Sequence, residues 1–152
     1  MPVSPYNSTL SMAARAVLIL AARPGMARNE RSIAAVDMLV THARDFGLYP
    51  VNLHGNTNYA AAGMAARVQT MHAGIIHAVL HGFITAEATP EGLKYTVTDV
   101  GEALHAKISS QYQRDYETAL IPVLAFVDSH TASEVLERIE TLPATIKQKD
   151  QP

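Results

Sequence analysis

The apolar positions of the chain fall into six stretches of helical spacing, interrupted once by a stretch of strand character. In the first, residues 16–22 are apolar on every side, Ser8 or Thr9 is placed to cap the helix, and Pro24-Gly25 ends it near Ala22. A helix without a polar face belongs in the interior. Ile33, Val36, Leu39, Val40 and Ala43 recur at steps of three and four, which predicts a second helix over 29–45, with Gly47 placed to end it and its arginines off the stripe. A third helix is expected over 59–82. Its stripe is Met64, Val68, Met71, Ile75, Val79 and Phe83, widened by Ile76 and Leu80, with a kink expected near Gly74.

Residues 83–98 change period. Pro90, Gly92 and the polar residues between them signal a turn, and Tyr95, Val97 and Thr98 favour an extended return strand. Asp99 with Glu102 three residues on has capping-box spacing, which starts a helix over 99–108. Two more helices are expected over 110–127, where Pro122 kinks or divides the run, and over 132–142, capped by Thr131 or Ser133. A long helix, a short hairpin and a capped helix in succession make the layout of a winged helix. The expected fold is therefore mainly α with a small β-hairpin of two or three strands: a winged-helix domain with additional N- and C-terminal helices. It occupies 9–142, with the wing at 83–98, between a flexible arm at 1–8 and a flexible tail at 143–152.

A chain of 152 residues, 48% of them hydrophobic, suits one domain with one core. Without cysteine it has neither disulfides nor thiolate metal sites, and no apolar run reaches the roughly 20 residues of a membrane span, so a cytoplasmic protein is expected. The net charge of -2 is unevenly spread: residues 1–67 carry six arginines against Glu30, Asp37 and Asp45, and the remainder is acidic. That is not the broad basic footprint of a non-specific nucleic-acid binder. The segment 47–58, rich in Gly, Pro and Asn, is long for a loop of a small domain, and such loops concentrate binding residues. A turn at Gly55-Asn56 could present His54 outward for binding; the other reading is a polar loop residue that caps or braces the turn.

His77 and His81 stand at i and i+4, half of a metal site that lacks a third ligand. No serine sits in a nucleophile elbow, and there is no Gly-rich phosphate cradle. No cofactor, metal or catalytic set is expected. DNA recognition would place the third helix in the major groove, yet Arg67 is the only charged residue over 59–82. Asn58, Gln69, Thr70 and His72 could meet bases and Lys94 a phosphate, but Glu87 and Glu91 in the hairpin oppose that approach. A dimeric winged-helix DNA-binding regulator, using 110–142 as its dimer interface, is the alternative reading. Tyr112 and Tyr116, four apart, suit either an interface anchor or internal packing. Arg15, Arg23, Arg28 and Arg31 read as a solvated face. The absence of lysine before Lys94 hints that such arginines make bidentate contacts to carboxylates or phosphates.

Four segments together resemble one family: RSIAAVDMLVTHARDFG at 31–47, the Leu53-His54 loop, the long helix from Tyr59, and LKYTVTDVGEAL at 93–104. They look like the small middle component of bacterial ABC-three-component systems, the group that includes Lamassu-type anti-phage defence, over about residues 10–125. The resemblance implies a non-enzymatic adaptor seated on an SMC-like coiled-coil ATPase and linking it to an effector subunit, often a nuclease, with DNA met indirectly through the complex. Gly55-Asn56-Thr57 stand where that pattern has prolines after the histidine. The residues expected to meet partners are Arg28, Arg31, His54, Asn56, Tyr59, Arg67, Tyr112 and Tyr116.

Overall fold

The computed structural model describes residues 8–54 and 63–150, with the backbone alone from 142 onward. The elements are α1 (Thr9–Ala21), α2 (Glu30–Thr41), α3 (Met64–Leu80), β1 (Ile84–Thr89), β2 (Gly92–Val97), α4 (Asp99–Lys107), α5 (Gln111–Asp128) and α6 (Ala132–Asp150). The described chain is thus mainly α with one small antiparallel hairpin. None of its helices is long and apolar enough to cross a membrane.

Helix α2 occupies the centre. It packs against α1, α3, α5, α6 and β2, and every residue from Ile33 to Thr41 is buried. Helix α1 is buried on nearly all sides as well, as a helix without a polar face must be. Side-chain caps fix the start of every helix but α3, which begins at Gly63, each cap contributing about 1 kcal/mol. Ser8 accepts from Ser11 N, Asn29 from Ser32 N, and Ser110 from Gln113 N. Thr131 and Glu134 exchange reciprocal bonds of 2.9 and 3.2 Å in a capping box at α6. At α4 the cap is Thr98 rather than Asp99. Its hydroxyl accepts from Gly101 N at 3.0 Å and donates to the Gly82 carbonyl at 2.5 Å, which ties the start of α4 to the chain entering the hairpin.

Several boundaries differ from the periodicity. Helix α2 stops at Thr41, short of 45, because Asn52 Oδ1 takes the backbone N–H groups of Arg44 and Asp45 at 2.9 and 3.2 Å; the chain then turns as far as Gly47, whose φ is +72°. Helix α5 is undivided at Pro122, and the Thr118 carbonyl that loses its donor lies at an exposed residue. Helix α6 continues to Asp150. The hairpin pairs Ile84 with Val97 through Thr89 with Gly92, and its third strand is a single residue, Arg28, which exchanges backbone bonds of 3.0 and 2.8 Å with Tyr95.

Gly74 marks a close contact between helices. A Cβ there would lie 2.6 Å from Met12 Cβ and 2.7 Å from Ala13 N, so α3 touches the backbone of α1 at this point. Gly74→Ala should gain about 1 kcal/mol of helix propensity and lose more to overpacking, typically about 1–3 kcal/mol. The expected result is a lower urea midpoint; a higher one would show that the two helices have room to spare.

Candidate functional site

The middle of α2 carries an aspartate with no solvent exposure. Asp37 is surrounded by one group from each of three neighbouring helices: Arg15 of α1, Arg67 of α3 and Tyr116 of α5. Arg15 approaches with Nε 2.8 Å from Oδ1 and donates from its terminal nitrogen to Oδ2 at 2.9 Å. Arg67 donates to Oδ2 at 2.6 Å and to Thr41 Oγ1 at 3.2 Å, and the Thr41 hydroxyl donates in turn to the Asp37 backbone carbonyl at 3.0 Å. The Tyr116 hydroxyl donates to Oδ1 at 2.7 Å.

Burial alone would raise the pKa of Asp37, but the charges of Arg15 and Arg67, with the hydrogen bonds of Tyr116 and Arg67, hold it below the usual carboxylate value. For Arg15 the balance is similar: burial disfavours its charge, Asp37 favours it, and its pKa ends up raised. The Tyr116 phenol is pushed well up by burial and by the negative charge of Asp37. A carboxylate pinned between two guanidinium groups is a poor base, and this phenol is a poor acid. The cluster is chemically suited to holding four helices together.

A second layer leans on the first. His54 Nε2 lies 2.6 Å from the Tyr112 hydroxyl with the rings stacked, and Tyr112 lies against Tyr116 with ring centroids 6.1 Å apart. Burial and the positive charge of Arg15 lower the pKa of His54 to about 3; burial and Arg67 lower that of the neighbouring buried His42 to about 4. His54 therefore turns inward and braces the end of the 47–54 segment against α5 rather than facing outward.

Four of the residues expected to meet partners, His54, Arg67, Tyr112 and Tyr116, thus converge on Asp37 and Arg15, with Arg67 only 8% exposed. Arg28 and Arg31 lie elsewhere, at the start of α2, and Asn56 and Tyr59 fall outside the described residues. The solvated arginine face is corrected in part: Arg15 and Arg28 are buried, whereas Arg23 and Arg31 are exposed. His77 and His81 stack at 4.1 Å, with His81 Nδ1 bonded to the His77 carbonyl; among the described residues no group of three His, Asp or Glu side chains is arranged to hold a metal. Sequence reading missed Asp37 and Arg15. The available signal was a charge set inside an apolar run in each of two helices, Arg15 within 13–22 and Asp37 within 33–40.

Asp37→Asn leaves two buried guanidinium groups without a counter-charge and should cost about 3–5 kcal/mol, against about 1–2 kcal/mol for Tyr116→Phe. Chemical denaturation measures both; near-equal losses would contradict the ranking. The two histidines set a pH dependence. Their folded pKa values lie below the ordinary value of about 6.5, so as pH falls below it the unfolded chain takes up protons that the folded chain refuses. Stability should fall as pH drops from neutral towards 5, by up to about 1.4 kcal/mol per pH unit for each histidine. His42→Gln with His54→Gln should flatten that slope, and a slope unchanged in the double variant would place its origin elsewhere.

No curated protein and no solved structure matches the chain. The model of one family, Middle Component 2 of the ABC-three component (ABC-3C) system, matches residues 5–149. That span includes all the helices that meet at Asp37. The chain belongs to the Middle Component 2 family of ABC-three-component systems.

Proposed function

We propose that this middle component is a non-enzymatic adaptor that binds an SMC-like coiled-coil ATPase of its system and links it to a nuclease-type effector subunit, in anti-phage defence of the Lamassu kind. Its frame is a winged helix. The succession of α1, the single-residue strand at Arg28, α2, α3 and the β1–β2 hairpin supports that label and gives α3 the recognition position.

The observation that carries the reading is the outer face of α3. Ala65, Ala66, Gln69, His72, Ala73, Ile76 and Leu80 are exposed there, with Leu80 at 79%, and none is Lys or Arg. The one arginine of the helix is turned inward onto Asp37, and His72 is bonded to Glu30 at 2.8 Å. A phosphate backbone needs cations along such a face. The regulator alternative relied on Arg67 and Lys94; the first is used internally, and the second pairs with Glu91 at 3.1 Å. Protein, by contrast, rewards this face, because burying a Leu or Ile side chain contributes about 1.5–3 kcal/mol. An adaptor also needs a second surface. A cavity of about 390 Å³ between α1, α4 and α5, walled by Val17, Leu18, Leu104 and Ile108, supplies one on other helices.

The test is co-expression of the tagged chain with the other subunits of its system. Ile76→Glu combined with Leu80→Glu should lower recovery of the ATPase roughly tenfold or more, the equivalent of about 1.4 kcal/mol, without moving the melting temperature. Recovery of the wild-type chain alone, together with duplex-DNA binding that weakens steeply with salt, would replace the adaptor with the regulator.

A further inference from the structure

A cavity of about 360 Å³ opens where the first turns of α2 and α6 meet the end of α5. Asn29, Arg31 and Ser32 line it from α2, and Ala132, Val135 and Leu136 from α6. Two helices of 12 and 19 residues therefore bring the positive ends of their dipoles to one space. The opposing charge in the wall, Asp128 at the end of α5, is already matched: Arg28 donates to its Oδ1 at 3.0 Å, and Arg23 Nε lies 3.7 Å from its Oδ2.

Two arginines have donors left over. Arg28 is 5% exposed and spends one terminal nitrogen on Asp128 and on the Met26 sulfur, while its buried Nε has no acceptor among the described residues. Arg31 is exposed and engaged by no described residue. Apart from His130, whose Nδ1 lies 2.7 Å from the Phe126 carbonyl, the rest of the wall is apolar, with Ala35, Val127, Val135 and Leu136 its larger part. A ligand that fits carries one negative charge and an apolar body. Asp128 is engaged by Arg28 and Arg23, Glu30 by His72 and Glu134 by the Thr131 N–H, which leaves the guanidinium of Arg31 to meet a singly charged carboxylate, whereas these three carboxylates oppose a dianionic phosphate. An apolar wall of this extent also suits a side chain better than a sugar-phosphate backbone.

We propose that this cavity receives an acidic peptide segment of a partner subunit, its carboxylate against Arg31 and the ends of α2 and α6, and a neighbouring apolar side chain against Val127, Val135 and Leu136. The segment gives the adaptor a chemically defined contact, separate from α3; that it belongs to a partner subunit rests on the adaptor reading.

The experiment titrates the isotope-labelled full chain by NMR with N-acetyl-Leu-Asp-Leu-amide and with its Asp→Asn counterpart. Saturable shifts are expected at 28–35 and 127–136, with binding weaker by about tenfold or more for the Asn peptide, the loss expected for one charge-assisted hydrogen bond. Arg31→Glu, at an exposed position, should leave the spectrum folded and weaken the Asp peptide to the same extent. Equal binding of the two peptides, no shifts at these residues, or the same shifts from inorganic phosphate alone would overturn the proposal. A second arm purifies the co-expressed assembly. If the peptide binds as stated but the wild-type chain recovers no subunit, the cavity's preference for acidic peptides stands and the adaptor reading falls. If the subunits co-purify and the peptide is silent, the cavity loses its role and the adaptor reading stands.

Discussion

A carboxylate buried at the centre of a helical domain must be neutralised where it stands, and everything around Asp37 is arranged to do so. Arg15, Arg67 and Tyr116 reach it from three helices. Apolar side chains of similar volume could stabilise the core as well, since desolvation consumes much of the gain of a buried ion pair. What the ion cluster adds is orientation. Helix α1 is apolar on nearly every side and carries little information about which face should meet α2; Arg15 supplies it. We attribute the registry of α1, α3 and α5 on α2 to this one residue pattern.

The same cluster shapes the surface. Arg67 lies between Met64 and Met71 on the buried side of α3, and drawing it inward leaves Ala66, Gln69, Ala73, Ile76 and Leu80 facing out. An interior electrostatic demand thereby removes from the outer face of α3 the one arginine of that helix. The contact at Gly74 strengthens the arrangement, because the close approach to Met12 and Ala13 fixes how deeply α3 sits on α1. Function, in this account, follows from which charges the core has claimed and which it has left at the rim, as with Arg31.

Much of this was legible in the chain. The apolar stripe Met64, Met71 and Ile75, the turn residues Pro90 and Gly92, and the caps Ser8 and Thr131 each specify their element through local chemistry, and those elements formed. The end of α2 was not legible, because it depends on Asn52, a residue outside the helix that captures two of its would-be donors. Long-range pairing hid the rest. Arg15 and Asp37 are 22 residues apart, and Asp37 and Tyr116 are 79 apart, so only the fold reveals that they share a site. Whether His54 faces outward or braces its loop was open in the sequence because nothing near it in the chain announces Tyr112.

Hydrogen–deuterium exchange on this chain, alone and within the assembly purified from its co-expressed system, tests the central claim most directly. The account predicts that the amides of α2 around Asp37 exchange slowly and equally in both states, while the exposed side of α3 gains protection only in the assembly. Protection of α3 by duplex DNA alone, with none gained from the protein subunits, would contradict it.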